Sequence, residues 1–221
     1  MQTFATRTPI TAVVAIPAGR IQFTAADQNS TTVEIRPANP AKSRDVKLAA
    51  QTTAVYSDGI LRVASPAGNR VLGSSGAVEV TVQLPAGSRV EAKAASAQFT
   101  TAGRLGDVAF DSSQATVKVD EAAAVRLTTV DGDITVGRLG GDAEIRTARG
   151  DIAVAEAARG TVVLRTQTGA ISVGAAAGVC AVLDAGTTVG RISNALQNAG
   201  GTPGLNIHAT TTVGDITARS L

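Results

Sequence analysis

Between about Val125 and Val173 apolar and polar residues alternate in three matching phrases, VRLTTVDGDITV, AEIRTARGDIAV and VVLRTQTGAISV. Each phrase runs into a glycine, at Gly132, Gly150 or Gly169, and resumes with apolar residues two and four positions later. Period-two alternation is the mark of a strand with one buried face. A repeat of 18 to 19 residues holding two such strands about a glycine turn predicts one coil of a β-solenoid, which buries its inner face only by stacking on its neighbours.

The same phase can be followed through the second half of the chain. The turn position falls at Ala97, Ala115, Gly132, Gly150, Gly169, Gly190 and Gly214. Two residues later stand Phe99, Val117, Ile134, Ile152, Ile171, Ile192 and Ile216, and five before it Ala92, Phe110, Leu127, Ile145, Leu164, Ala185 and Ala209. We therefore expect an all-β chain of about seven stacked coils of 17–24 residues. At about 4.8 Å per coil they would form a rod about 34 Å long. A hydroxyl column three residues before the turn, from Ser112 through Thr129, Thr147, Thr166 and Thr187 to Thr211, should point inward. There its hydroxyls could hydrogen-bond along the ladder while the methyls pack. The spacing does not fix the hand of the solenoid.

Residues 1–88 also alternate, at Ile10–Ile16, Arg20–Thr24 and Thr32–Arg36, but without the later period. They read as a β-rich cap on the solenoid of residues 89–221, the two forming one continuous unit. Pro17-Ala18-Gly19 and Pro85-Ala86-Gly87 predict turns, and Asp58-Gly59 within VYSDGILRV predicts a tight hairpin. Pro37–Arg44 and the Gly- and Ser-rich stretch Pro66–Gly76 are expected to be loops, and the wide spacing near the C-terminus places an inserted loop over 194–204.

Composition narrows the function. Aromatics are 2% of the 221 residues and Trp is absent, which suits thin stacked strands. A net charge of +2 with interspersed signs offers no basic stripe for phosphates and few rings to stack bases, so nucleic acid is not an expected partner. No stretch has the roughly 20 apolar residues of a membrane span, so no membrane insertion is expected. The first twenty residues lack the charged start and apolar core of a secretory signal. Together with a lone Cys180, that points to the cytoplasm.

The Gly-Asp-Ile phrase recurs at Gly132-Asp133-Ile134, Gly150-Asp151-Ile152 and Gly214-Asp215-Ile216, behind the leader VYSDGILRV and VEVTVQLPAGSRVEAKAAS. In these motifs, over nearly its whole length, the chain resembles the putative-adhesin family of bacterial β-strand-repeat proteins of unknown function, common in actinobacteria. The resemblance implies a non-enzymatic role in contact with proteins or glycans, with no catalytic residue and no cofactor.

The residues themselves offer one acidic cluster. Asp133 and Asp151 share a column in adjacent coils, with Asp131 close by. They could hold a cation or do acid–base work of the glycosidase kind, which makes a carbohydrate-active β-helix enzyme the alternative reading. Against this, the column continues as Ala170, Arg191 and Asp215, and aspartate beside a turn glycine ordinarily bonds turn backbone. The single His208 faces outward, and Gly73–Ala77 lacks the form of a nucleophile elbow. With one His and one Cys there is no zinc quartet. Arg191 and Asp215 should pair on the surface. A solenoid has two open ends, and the coil last in sequence has no evident cap. Ile207, His208, Ile216 and Arg219 are accordingly the candidate interface for self-association or a protein partner.

Overall fold

The computed structural model describes residues 1–66, 76–197 and 202–221. The Gly- and Ser-rich loop expected over Pro66–Gly76, most of Gly73–Ala77 and the centre of the 194–204 insertion lie outside the described residues. Seventeen strands and one helix are described. The first part of the chain holds β1 (Gln2–Ala5), β2 (Thr11–Ala26), β3 (Ser30–Pro37), helix α1 (Ser43–Gln51), β4 (Thr53–Ser57), β5 (Ile60–Ala64), β6 (Val78–Pro85), β7 (Arg89–Ala102) and β8 (Arg104–Thr128). Shorter strands follow: β9 (Ile134–Leu139), β10 (Ala143–Arg146), β11 (Ile152–Ala157), β12 (Gly160–Arg165), β13 (Ile171–Ala175), β14 (Ala181–Val189), β15 (Ile192–Ala195), β16 (Leu205–Val213) and β17 (Ile216–Ser220).

A typical coil is a leg, a corner and a second leg. In β10–β11, Ala143 and Ile145 point in from the first leg, Thr147 turns in at the corner, and Ile152 and Val154 point in from the second. Successive legs pair in parallel and in register, Ile145 beside Leu164 and Ile152 beside Ile171. Stacking therefore puts like on like, and each buried Ile or Leu contributes roughly 2 kcal/mol. The turn glycines stack because nothing larger fits. Gly150 has φ +138°, and a Cβ there would run into the carbonyl of Gly132 in the coil beneath.

The register reaches further toward the N-terminus than the sequence period does. β2 pairs in parallel with β7 over Thr11–Thr24, so Gly19 joins the turn column beside Ala97. Pro17-Ala18-Gly19 is a corner within a continuing strand, not the end of one. On the other side of β2 lie β5, beside Thr11–Ala15, and β6, beside Gly19–Ala26. From here the sheet turns antiparallel: β4 folds back on β5 through Asp58-Gly59, whose φ values of 52° and 75° fit the tight hairpin turn. β3 covers β6, and β1 covers β3.

Helix α1 replaces the last two residues of the expected Pro37–Arg44 loop and extends beyond it. Its apolar side is only one turn deep, with Leu48 and Asp45 buried, and the Asp45 carboxylate accepts the Ala77 N–H at 3.0 Å. All of the aromatic ring contacts also lie toward this end, Phe4 against Tyr56 and Phe99 between Phe23 and Phe110.

At the other end the order of the coils departs from the order of the sequence. β16 pairs with β12 on one side, Ile207 beside Val162, and with β14 on the other, Ile207 beside Leu183. β17 is likewise held between β13 and β15, Ile216 beside both Ile171 and Ile192. The coil last in sequence is thus next to last in space. The outermost layer is β14–β15.

Candidate functional site

That inversion corrects the expected interface. Ile207 and Ile216 are 1% and 0% exposed, because each has a strand on both sides. His208 and Arg219 face solvent from β16 and β17, but within a layer that is already covered. His208 Nδ1 lies 3.1 Å from Asp184 Oδ2 on the outermost coil. The bare surface belongs to β14–β15, where Val182 and Ile192 are 46% exposed and Val189 60%.

The acidic column is a set of clasps between coils. Asp133 Oδ1 accepts the N–H of Asp151 at 2.9 Å, and Asp151 Oδ1 accepts that of Ala170 at 2.7 Å. Asp215 Oδ1 accepts the N–H of Arg191 at 2.8 Å, so this bond joins the two residues expected to form a surface ion pair. Asp142 does the same for Thr161 at the opposite corner, at 2.8 Å. The glycine corner explains the pattern. With φ between +127° and +153° at Gly132, Gly150, Gly169, Gly190 and Gly214, the chain leaves the ladder for a residue. The next amide then needs an acceptor, which a short carboxylate in the adjacent coil supplies.

Asp131 pairs in parallel with Gln114 and Arg149 at the corner, and it makes no such clasp among the described bonds. Asp131, Asp133 and Asp151 therefore share one corner of the stack without converging on a common point. No group of three or more His, Cys, Asp or Glu able to hold a metal ion occurs among the described residues.

The hydroxyl column points inward as expected, with Ser112, Thr129, Thr147, Thr166 and Thr211 all buried. Its bonds go elsewhere than along the ladder. Thr129 and Thr147 donate to the carbonyls of Asp131 and Arg149 two residues on, both at 3.1 Å. Thr166 and Thr211 donate to the turn glycine of an adjoining coil, Gly150 and Gly169, again at 3.1 Å. The Asp131 and Arg149 carbonyls also accept the amides of Ala115 and Gly132, so there the hydroxyl is a second donor, and each hydroxyl meets a carbonyl at the corner.

Two shallow troughs mark the outer faces. On the first legs a trough of about 300 Å³ has Val13, Ala15 and Ala109 as its floor and Lys93, Asp111 and Arg126 at its sides. On the second legs one of about 390 Å³ is lined by Ala153, Ser172, Gly174, Thr217 and Arg219. The second arises where small side chains line up in register across neighbouring strands, as Ala153, Ser172 and Thr217 do, whereas in the first Glu91 and Lys93 stand in register with Val13 and Ala15. The sequence reading missed them because it followed the inward columns and not the outward rows between.

A model of the Toastrack DUF4097 family matches residues 13–220, from β2 to the last strand. The chain belongs to the Toastrack DUF4097 family. As in the sequence-based resemblance, its solved neighbours are described as adhesins. The Toastrack fold seen here is similar to a "putative adhesin" from Bacteroides fragilis NCTC 9343, with 13% identity, a TM-score of 0.60 and coverage of 98% of this chain and 95% of that one. Matches to a "putative adhesin" from Parabacteroides distasonis ATCC 8503 have 13% identity, TM-score 0.45 and coverage of 100% and 95%. A "putative cell adhesion protein" from Clostridium sporogenes ATCC 15579 has 10% identity, TM-score 0.41 and coverage of 100% and 98%. Comparison with curated proteins gives no match. No helix in the described residues is long and apolar enough to cross a membrane.

Proposed function

We propose that this Toastrack chain is a non-enzymatic interaction domain whose outer β-solenoid faces contact proteins or glycans. The observation that carries this reading is where the polar groups are spent. The Asp133 and Asp151 carboxylates, which the enzyme alternative would need, are bonded to backbone amides of the next coil. The inward hydroxyls hold corner carbonyls. What faces outward in quantity is a set of regular rows of small and charged side chains, with the two troughs between them.

The second-leg trough joins the Ser172 and Thr217 hydroxyls to the Arg219 guanidinium over a floor of Ala153 and Gly174, donors and acceptors at a spacing that suits sugar hydroxyls or a polar peptide. The descriptions of the neighbouring structures as adhesion proteins support the same reading. The cytoplasmic placement read from the sequence remains part of the proposal. So does self-association, which we transfer from the 205–220 coil to the bare 181–195 coil.

The test pairs binding with turnover. The chain is applied to a glycan array and to immobilised cell-surface protein extracts, beside variants Arg219→Ala and Lys93→Ala/Arg126→Ala and the pair Asp133→Asn/Asp151→Asn. Binding that falls in a trough variant and survives in the aspartate pair supports the proposal. Polysaccharide cleavage that the aspartate pair abolishes, with the fold intact, would overturn it.

A further inference from the structure

We propose that two copies of this chain join head to head through residues 182–195, the outermost coil, to make a closed two-fold dimer. The inference deepens the self-association reading above and rests on it.

The two ends of the stack are built differently. At one end β5 and β6 are covered by antiparallel β4 and β3, with α1 packed beside them. At the other, β14 pairs only with β16 and β15 only with β17 among the described residues. Every second amide and carbonyl along the far edge of Val182–Val189 and Ile192–Ala195 thus faces away from the stack, a template for another strand.

The side chains agree with the backbone. Ile192 ends the column that holds Ile171 and Ile216, yet it is 46% exposed where they are 1% and 0%. Val189 at the end of β14 and Val182 near its start are exposed, and Leu183 and Ala185 are only partly covered. Edges of soluble sheets are ordinarily guarded by charge, lysine above all. Residues 182–195 carry only Asp184 and Arg191 and no lysine, and Asp184 is engaged by His208.

The occupant that fits is a second copy of the same end. A two-fold axis across the end sets β14 antiparallel to its own copy and β15 likewise, so the same apolar strip serves both copies, residue i of one meeting residue j of the other and j meeting i. At the capped end the edges belong to the short strands β4 and β1, each antiparallel to its one neighbour among the described residues, so they do not match the long parallel β14–β15 edge; copies do not add head to tail and assembly stops at two. The area is sufficient. Nine residues of strand give a face about 30 Å long. Two sheets about 10 Å apart with their outer side chains make it about 20 Å wide. That removes roughly 600 Å² per copy, at the lower bound for a specific interface, where weak and transient contacts lie.

Sedimentation velocity of the full chain from about 1 µM to about 500 µM, a range that covers weak association, is the test. The expected result is a monomer that converts to a dimer within the range and goes no further. Val189→Lys/Ile192→Lys should raise the midpoint at least about tenfold. Ser193→Lys, on an exposed β15 position, should do the same and serves if the first pair fails to fold. Val55→Lys, on the capped end, should change nothing. A wild-type monomer throughout, association past the dimer, or a dimer untouched by the β14–β15 substitutions would overturn the inference. A lysine variant that is monomeric yet still binds its glycan or protein keeps the two readings apart. Loss of the dimer alone counts against neither trough, and loss of binding by an intact dimer counts against the proposed function alone.

Discussion

The capped and the bare end of this stack solve one problem in opposite ways. At the capped end the chain departs from its first coil, β2, and does not return to the column until β7. The residues between build β3–β6 and α1 and turn the sheet antiparallel, while β2 and β7 themselves set Phe23 against Phe99 in the interior. Among the described residues, no strand covers the bare end, and residues 181–195 hold no aromatic side chain and only two charged ones. A parallel ladder propagates readily because each layer leaves a copy of its own edge, and ending it requires a break in strand direction or another subunit. This chain breaks direction once.

Equivalent substitutions at the two ends sharpen that contrast. The largest difference is expected in the turn column. Gly19→Ala forces a Cβ into the Val78 carbonyl at φ +132°, in a coil held on both sides, and should cost about 3 kcal/mol or more in chemical denaturation. Gly190→Ala meets the Gly214 carbonyl in the same way, but the outermost coil can lift away. The loss should be less than half as large, and equal losses would mean that the bare coil is as firmly held as the first.

Next is the isoleucine column. Ile216→Ala, wholly buried, should cost about 2–4 kcal/mol and Ile192→Ala about 1 kcal/mol or less when measured on the monomer. A rise in the Ile192→Ala cost with protein concentration would trace the missing burial to a second copy.

A smaller effect concerns the seam between β13 and β17. The clasps run from Asp133 to Asp151 and from Asp151 to Ala170, then resume from Asp215 to Arg191. Ala170 has no carboxylate for the Asp215 amide. Ala170→Asp should add the bond and raise stability by about 1 kcal/mol, and Asp151→Asn should lower it by a similar or smaller amount. If Ala170→Asp destabilises, repulsion from Asp151 and Asp215 outweighs the new bond.

Much of the interior was legible in the sequence because parallel stacking in register turns a period into a column. Leu127, Ile145 and Leu164 could be placed inside from spacing alone, and so could Thr129, Thr147 and Thr166. The order of the last two coils was not. Leu183 and Ile207 fit equally well above Val162, so the pattern says that a coil can stack there and not which one does. A length signal was present all the same. The turn spacing rises from 19 between Gly150 and Gly169 to 21 between Gly169 and Gly190, and the extra chain at Ala176–Cys180 carries the backbone past one layer to the next. Helix α1 was hidden for a different reason: with only Asp45 and Leu48 buried, it shows too little periodicity to stand out beside Pro40. Asp133 and Asp151 were expected to bond turn backbone, and the amides they accept lie a whole coil away, beyond the reach of local sequence.

The inverted order also bears on how the chain comes into being. Synthesis runs from the N-terminus, so residues 181–195 leave the ribosome before residues 205–220, the layer on which they finally rest. Until then the surface that matches their register is β12 and β13, the place later taken by β16 and β17. The native order is therefore not reached by adding layers in the order of synthesis: β14–β15 takes its final place only with residues 205–220 between it and β12–β13.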